Sequence, residues 1–214
     1  MEGLKVIGYY ICELCDTPKW LEGISRQILS VSGCIGEQHP AWECFMGGWS
    51  REEVWEYQKK LRLDKEPYGE LLKTANRLFD AGSLDVDCRF LQLSDAKDFH
   101  EKFCRAVPCR VVSVSTTMEY YGILADELKG SNCQGRMSGE DDESPCLGYD
   151  ILGWDISGFH SFLCNSLQKS LPGVKFNDMG LLDHDFSEVA RFARRIEGKG
   201  EPVEWIPCRI GVCA

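Results

Sequence analysis

Two kinds of hydrophobic pattern alternate along the chain and predict its strands and helices. Residues 5–11 form a short run rich in β-branched and aromatic side chains, which is typical of a buried strand. Pro207 lies in a similar run near the C-terminal end and removes a backbone donor, so we expect that strand at a sheet edge. The remaining runs predict strands over residues 86–93, 109–115, 146–156 and 203–212.

Apolar residues at helical spacing mark the predicted helices. Ser50 followed by Glu53 forms a capping box, in which each side chain satisfies a backbone amide of the other residue. Asp185 with Glu188 repeats this pattern, and we expect a helix after each cap. Apolar spacing predicts further helices over residues 20–31, 67–82, 94–107 and 157–171.

Together these elements predict an α+β, or loosely α/β, fold in a single domain over residues 1–214. The tally is about five helices and five or six strands, and their order favours a mixed sheet. A chain of 214 residues can bury roughly 70% of the surface that it exposes when unfolded, which is enough for a substantial core. Residues 130–146 are polar, glycine-rich and acidic, and we expect them to form a mobile surface loop.

The net charge excludes some classes of partner. The chain has 24 lysine and arginine residues against 34 aspartate and glutamate residues, a net charge of −10. This charge repels phosphate backbones and anionic membrane surfaces, so we expect neither nucleic acid nor a membrane as partner. No apolar run approaches the roughly 18 residues needed to span a bilayer, and Glu13 interrupts the apolar run that follows the first few residues. We therefore expect a cytoplasmic protein, and the sequence leaves its oligomeric state open.

Twelve cysteines are the unusual feature of the composition. They are too sparse for a small disulfide scaffold, so we expect most of them to be reduced packing residues. Cys12 and Cys15 form a Cys-x-x-Cys motif after the first predicted strand, where a helix N-terminus could lower a thiol pKa. With Pro108 before a β-branched strand, these patches resemble the dithiol and facing proline of thioredoxin-like proteins. The resemblance implies a thiol-dependent redox enzyme or sensor, and two ordinary thiols at a strand end are the simpler interpretation.

Two histidine–cysteine pairs have the spacing of neighbours on one helix face. His100 lies four residues before Cys104, and His160 lies four residues before Cys164. Two such pairs facing each other would supply four ligands for a tetrahedral zinc ion. Because His-x3-Cys is not a usual zinc spacing, packed histidines and reduced cysteines are the simpler interpretation. We therefore predict no bound metal and no cofactor.

The sequence carries none of the common catalytic motifs. It has no P-loop, no dinucleotide-binding glycine motif, no nucleophile elbow, no zinc-protease motif and no EF-hand loop, so no catalytic residue is assigned. Its strongest local charge is a run of four acids, and its tryptophans are potential interface anchors. These features predict an acidic module that binds and occludes a basic protein, as an inhibitor or immunity protein does. The predicted partner-binding residues are Glu140, Asp141, Asp142 and Glu143.

Overall fold

A single antiparallel sheet forms the centre of the molecule. The computed structural model describes residues 3–128, 136–155 and 158–213. Six of its strands follow the order β2-β1-β4-β7-β5-β6, and β3 pairs with β1 beside β2. The strands are β1 (Lys5–Asp16), β2 (Gln27–Leu29), β3 (Gln38–His39), β4 (Cys109–Thr116), β5 (Cys146–Asp155), β6 (Gly158–Ser161) and β7 (Ile206–Val212).

Helices cover the sheet, and the predicted single-domain α+β fold is confirmed. The α-helices are α1 (Trp42–Met46), α2 (Arg51–Leu61), α3 (Lys65–Asp80), α4 (Leu93–Phe99), α5 (Met118–Leu128) and α6 (Phe186–Ile196). Every strand pairing among the described residues is antiparallel, which favours α+β over the looser α/β alternative. In this part of the chain no helix combines the length and apolar composition needed to cross a membrane.

Both predicted capping motifs begin helices. The Ser50 hydroxyl accepts a hydrogen bond from the Glu53 amide, and the Glu53 carboxylate accepts one from the Ser50 amide. Asp185 accepts from the Glu188 amide, whereas the Glu188 carboxylate pairs with the His184 ring instead of completing a box. These starts are predictable because all of their hydrogen bonds join residues within one turn.

Four predicted features are wrong, and in two of them strand pairing replaces a helix that local spacing predicts. Residues 20–31 contain the end of a short 3-10 helix (Lys19–Leu21) and β2, which pairs with the end of β1, and not the predicted α-helix. Residues 86–93 form a loop and the start of α4. Residues 157–171 contain β6, a hairpin partner of β5, and the predicted cap Ser157 lies outside the described residues. β7 lies inside the sheet, where Pro207 is tolerated because the β4 pairing begins only at Arg209.

The acidic segment covers one edge of β1. The Val6 amide donates to the Glu140 carbonyl at 2.8 Å, and the Asp142 amide donates to the Leu4 carbonyl at 3.0 Å. Farther along the same strand, Tyr9 pairs with Phe90, and then β3 and β2 follow. Residues 136–145 are therefore built into the sheet, whereas 130–135 of the predicted loop lie outside the described residues.

A buried ionic cluster lies beside β1. Arg89 has no exposed surface, and its Nη2 donates to Asp85 at 2.7 Å. Asp87 lies 3.9 Å from Arg89 Nε and accepts a 2.6 Å hydrogen bond from the Tyr10 hydroxyl. Glycine is required at position 8, because a Cβ there would lie 2.3 Å from Arg89 Cγ. The close approach of β1 thus holds the guanidinium against its two carboxylates.

Candidate functional site

An open cleft of about 660 Å³ brings together side chains from three parts of the chain. Most of its lining comes from residues 31–60, which include α1, β3 and α2. Asp87 and Cys88 contribute from the loop before α4, and Phe159 and His160 contribute from β6. A concave surface that gathers titratable and aromatic groups is the default candidate for a binding site.

One face of α2 forms a wall of the cleft. Glu53, Glu56, Tyr57 and Lys60 all line it, and their spacing of three, one and three residues places them on a single helix face. Glu52 belongs to the same helix and is exposed, but it does not line the cleft. The two faces of α2 therefore differ in what they can present to a ligand.

Two tryptophans stand at the cleft. Trp42 on α1 is 36% exposed, and Trp49 packs its ring edge against Tyr57 with the ring centroids 5.1 Å apart. Trp55 is more exposed than Trp42, but it lies outside the cleft lining. Trp42 is thus a partly exposed aromatic anchor beside a charged wall.

His39 is fixed by hydrogen bonds on both sides of its ring. Nδ1 lies 2.7 Å from the Tyr57 hydroxyl, and Nε2 lies 2.6 Å from a carboxylate oxygen of Glu13. Only 1% of the residue is exposed. Because both ring nitrogens are engaged by protein groups, this histidine supports the cleft wall and has no nitrogen available for proton transfer to a ligand.

The cleft carries a net negative charge. Four glutamates line it, namely Glu37, Glu43, Glu53 and Glu56, together with a single lysine. That lysine, Lys60, already pairs with Glu37 and lies 3.0 Å from Glu13. Burial raises the pKa of Glu13, but hydrogen bonds from His39 and Lys60 outweigh it and lower the pKa overall. Because Glu53 is also engaged, in the capping box of α2, Glu43 and Glu56 are left to attract a cation.

A thiol–imidazole cluster lies at another wall of the cleft. Cys34 Sγ is 3.7 Å from His160 Nδ1, and the ligand atoms of Cys34, His160 and Cys164 all lie within 4.8 Å of one another. Cys34 is exposed, whereas Cys164 is half-buried with its Sγ 3.3 Å from the Ser32 hydroxyl. Burial raises the pKa of the Cys164 thiol to about 12. The cluster joins a loop before β3 to the turn after β6.

Two carboxylates flank the same imidazole. Asp155 Oδ1 lies 3.1 Å from His160 Nε2, and Glu201 Oε2 lies 3.5 Å from Nδ1. Glu201 Oε2 is buried and receives no hydrogen bond from any described residue. Asn165 holds the other oxygen of Glu201 with a 3.0 Å hydrogen bond. The imidazole of His160 thus faces thiols and carboxylates, all of which can bind a cation.

The four residues considered as a zinc ligand set do not converge. His100 Nε2 lies 3.3 Å from the Cys109 carbonyl, and Cys104 is fully buried in the core that α2, α3 and α4 form against the sheet. His160 and Cys164 lie in β6 and the following turn, so they do not share a helix face. The residue that lies beside His160 and Cys164 is Cys34, and not His100 or Cys104.

The structure places Cys12 and Cys15 in a strand and not before a helix. Cys12 is fully buried in β1, and Cys15 is half-buried near the strand end. Residues three apart in a strand point to opposite faces of the sheet. Burial raises the pKa of both thiols, and Glu13 raises that of Cys15 further. Burial therefore disfavours the thiolate form that the redox alternative requires of these two cysteines.

The four acids of the predicted partner-binding run have different environments. Glu140 accepts a 2.5 Å hydrogen bond from the Tyr9 hydroxyl, and Asp141 forms a 2.9 Å ion pair with Lys5. Asp142 has only 2% of its side chain exposed and pairs with Arg209. Glu143 is exposed. The four carboxylates therefore differ in how accessible they are to a partner, and Asp142 is the least accessible.

Sequence reasoning missed the residues that make up the cleft. Glu56 and Lys60 could have been found as the charged side of α2, but nothing local shows which helix face a cleft will use. Cys34 lies in a loop without periodicity, 126 residues from His160. The only signal in the sequence is a cysteine that follows a serine and a glycine in a loop, and this signal does not identify the residues that Cys34 contacts.

Comparisons of the chain with known protein families, with curated proteins and with solved structures gave no match.

Proposed function

We propose that the protein is a binding module whose cleft takes a basic segment of a protein partner. The observation that carries this proposal is the acidic lining of the cleft, in which four glutamates accompany one lysine that is already paired. An acidic concavity attracts cations from a distance and then holds them by charge complementarity. The acidic partner-binding surface is thus assigned to the cleft, with Glu140–Glu143 at most an accessory.

Trp42 and the α2 carboxylates favour a lysine- or arginine-rich peptide over a free inorganic cation. Arginine and lysine combine a charge with an apolar stem or a planar group that packs on an aromatic ring. Trp42 offers such a ring next to Glu43, and Glu56 faces the same cleft from α2. Occupation of the cleft would occlude the basic surface of the partner, as an inhibitor does.

A reducing compartment such as the cytoplasm is part of this proposal. Each of the eleven cysteines in the described residues is a free thiol, including the exposed Cys34 and Cys146. Free exposed thiols persist where cellular reductants keep them reduced.

The first test is a charge reversal on α2 with a matched control. Glu56→Lys places a like charge in the cleft and should weaken binding of a fluorescent arginine-rich peptide about tenfold or more at low salt. Glu52→Lys changes an exposed residue of the same helix outside the cleft and should weaken it far less. Both variants change the net charge from −10 to −8, so general attraction is reduced equally. Fluorescence anisotropy at two salt concentrations measures the difference.

Equal weakening by the two reversals would show that the peptide responds to net charge alone and would remove the cleft from the proposal. The same pair of variants then serves as bait with a cell extract of the source organism. A true partner should be retained by wild type and by Glu52→Lys and lost with Glu56→Lys.

A second test uses the tryptophans. Trp42→Ala should weaken the same peptide by roughly tenfold or more if its ring anchors the ligand, because aromatic anchors dominate interface energies. Trp55→Ala is the matched control, since Trp55 is 55% exposed and lies outside the cleft. A larger loss for Trp55 than for Trp42, measured by the same anisotropy titration, would contradict the assignment.

A further inference from the structure

We infer that Cys34, His160 and Cys164 form a site for a zinc-like divalent cation at the wall of the cleft. This inference is independent of the basic partner proposed above, because it concerns different side chains and a different ligand. It also revises the sequence-based prediction that no metal is bound.

The donor atoms have the separation that a tetrahedral zinc ion requires. Zinc lies about 2.3 Å from sulfur and about 2.1 Å from imidazole nitrogen, which at a tetrahedral angle places sulfur and nitrogen roughly 3.5 Å apart. Cys34 Sγ and His160 Nδ1 are 3.7 Å apart, and the three donors all lie within 4.8 Å of one another. Only small side-chain movements are needed to close the site.

The histidine is oriented as metal-binding histidines are. A ligating imidazole usually donates its other N–H to a carboxylate, which fixes the ring and its tautomer. Asp155 accepts at this position, 3.1 Å from Nε2 of His160. With the proton on Nε2, the Nδ1 lone pair points toward the Cys34 sulfur and the Glu201 carboxylate. Asp155 is therefore a positioning residue of the site.

Glu201 supplies a second observation. Its Oε2 lies 3.5 Å from His160 Nδ1, is buried, and accepts no hydrogen bond from any described residue. With the tautomer described above, a carboxylate oxygen and a nitrogen lone pair face each other, which is unfavourable. A cation beside the imidazole removes this conflict, and Glu201 lies within 4.8 Å of the same imidazole in a second group of donors with Asp155.

The framework holds the donors in place from both sides. The loop that carries Cys34 is closed by amides of Ile35 and Gly36, which donate to the Ser32 carbonyl at 3.1 Å and 3.0 Å. The Cys164 amide donates to the Ser161 carbonyl at 2.8 Å in the turn after β6.

Two thiolates and an imidazole favour zinc over magnesium or calcium, which prefer oxygen ligands.

The test measures metal in protein purified without a histidine tag, in reducing buffer and without chelator. Wild type should contain about one zinc per chain, or take up one from added Zn²⁺, by elemental analysis. Cys34→Ser should lose this metal and remain folded, because Cys34 is exposed. Asp155→Ala should weaken Zn²⁺ binding by about 10–100-fold in competition with a fluorescent chelator.

Two control variants distinguish this site from nonspecific binding to thiols and imidazoles. Cys146→Ser removes another exposed cysteine, and His100→Ala removes the histidine of the other predicted pair; both should retain one zinc. Co²⁺ in place of Zn²⁺ should give the absorption of a tetrahedral thiolate complex in wild type and lose it in Cys34→Ser. Less than about a tenth of an equivalent of zinc after reconstitution, or equal zinc in Cys34→Ser and wild type, overturns the inference. The cluster would then be a histidine clamped between two carboxylates.

Discussion

Replacing Arg89 with methionine should lower the free energy of unfolding by about 3–5 kcal/mol, because it leaves two buried carboxylates without their cation. Asp85 is 8% exposed and Asp87 is 4% exposed, so neither can regain full hydration. Methionine keeps most of the apolar stem but removes the guanidinium, whose carbon lies 5.0 Å from the ring centroid of Trp154 and 5.8 Å from that of Phe159. The loss is therefore one of charge more than of volume. Urea denaturation of the purified variant at pH 7 measures it.

A surface arginine provides the matched control for this prediction. Arg105 pairs with Glu101 in solvent, with 70% and 67% of the two side chains exposed, so Arg105→Met should change stability by less than about 1 kcal/mol. Adding Asp85→Asn and Asp87→Asn to Arg89→Met should recover part of the loss, since a neutral cluster avoids buried unpaired charge. If Arg89→Met and Arg105→Met denature at the same urea concentration, the buried cluster does not stabilise the fold.

The second large effect should distinguish two neighbouring aspartates. Asp142 accepts hydrogen bonds from the hydroxyls of Ser113, Ser115 and Ser144 and pairs with Arg209 at 2.5 Å. Asp142→Ala should therefore lower the free energy of unfolding by about 2–4 kcal/mol, because it leaves these donors and a half-buried guanidinium without an acceptor. Asp141→Ala removes an exposed carboxylate and should cost less than about 1 kcal/mol. Urea denaturation of the two variants side by side gives the difference.

The effect of Asp142 should also depend on pH in a defined direction. Burial raises the pKa of this carboxyl, but hydrogen bonds from Ser115 and Ser144, with the charge of Arg209, lower it overall. The pKa of Asp142 in the folded protein is therefore lower than the pKa of an aspartate in the unfolded chain, which is about 3.9. The stabilisation is fully present above that pH and disappears as the pH falls through the lower folded value. The stability gap between wild type and Asp142→Asn should shrink below about pH 4, and a gap that grows on acidification would contradict this assignment.

Local patterns predicted the elements whose hydrogen bonds are local. Ser50 and Asp185 begin helices because their partners lie within one turn. The segment 157–171 has the apolar spacing of a helix, but Gly158 adopts a φ of 120° and β6 pairs with β5, so sheet hydrogen bonds replace helical ones. The spacing alone does not show which set of hydrogen bonds forms.

The candidate sites depend even more on tertiary structure. The sequence singled out His160 and Cys164 but did not identify Cys34 as their neighbour, since Cys34 reaches them only through the folding of the loop before β3. It also treated the acids at 140–143 as equivalent, although alternate residues of a paired segment point to opposite sides. Asp142 consequently points to the serines of β4, and Asp141 points to solvent.

The position of β7 has a consequence for the nascent chain. β7 lies between β4 and β5, yet it follows every other strand in the chain, and Val112 pairs with Val212 one hundred positions later. During synthesis the β1–β4 and β5–β6 pairs can each form first, and both then present an open strand edge until residues 206–212 emerge. Open edges of this kind pair readily with other chains. The sheet is therefore completed only after translation of β7, and until then both open edges can pair with those of neighbouring chains.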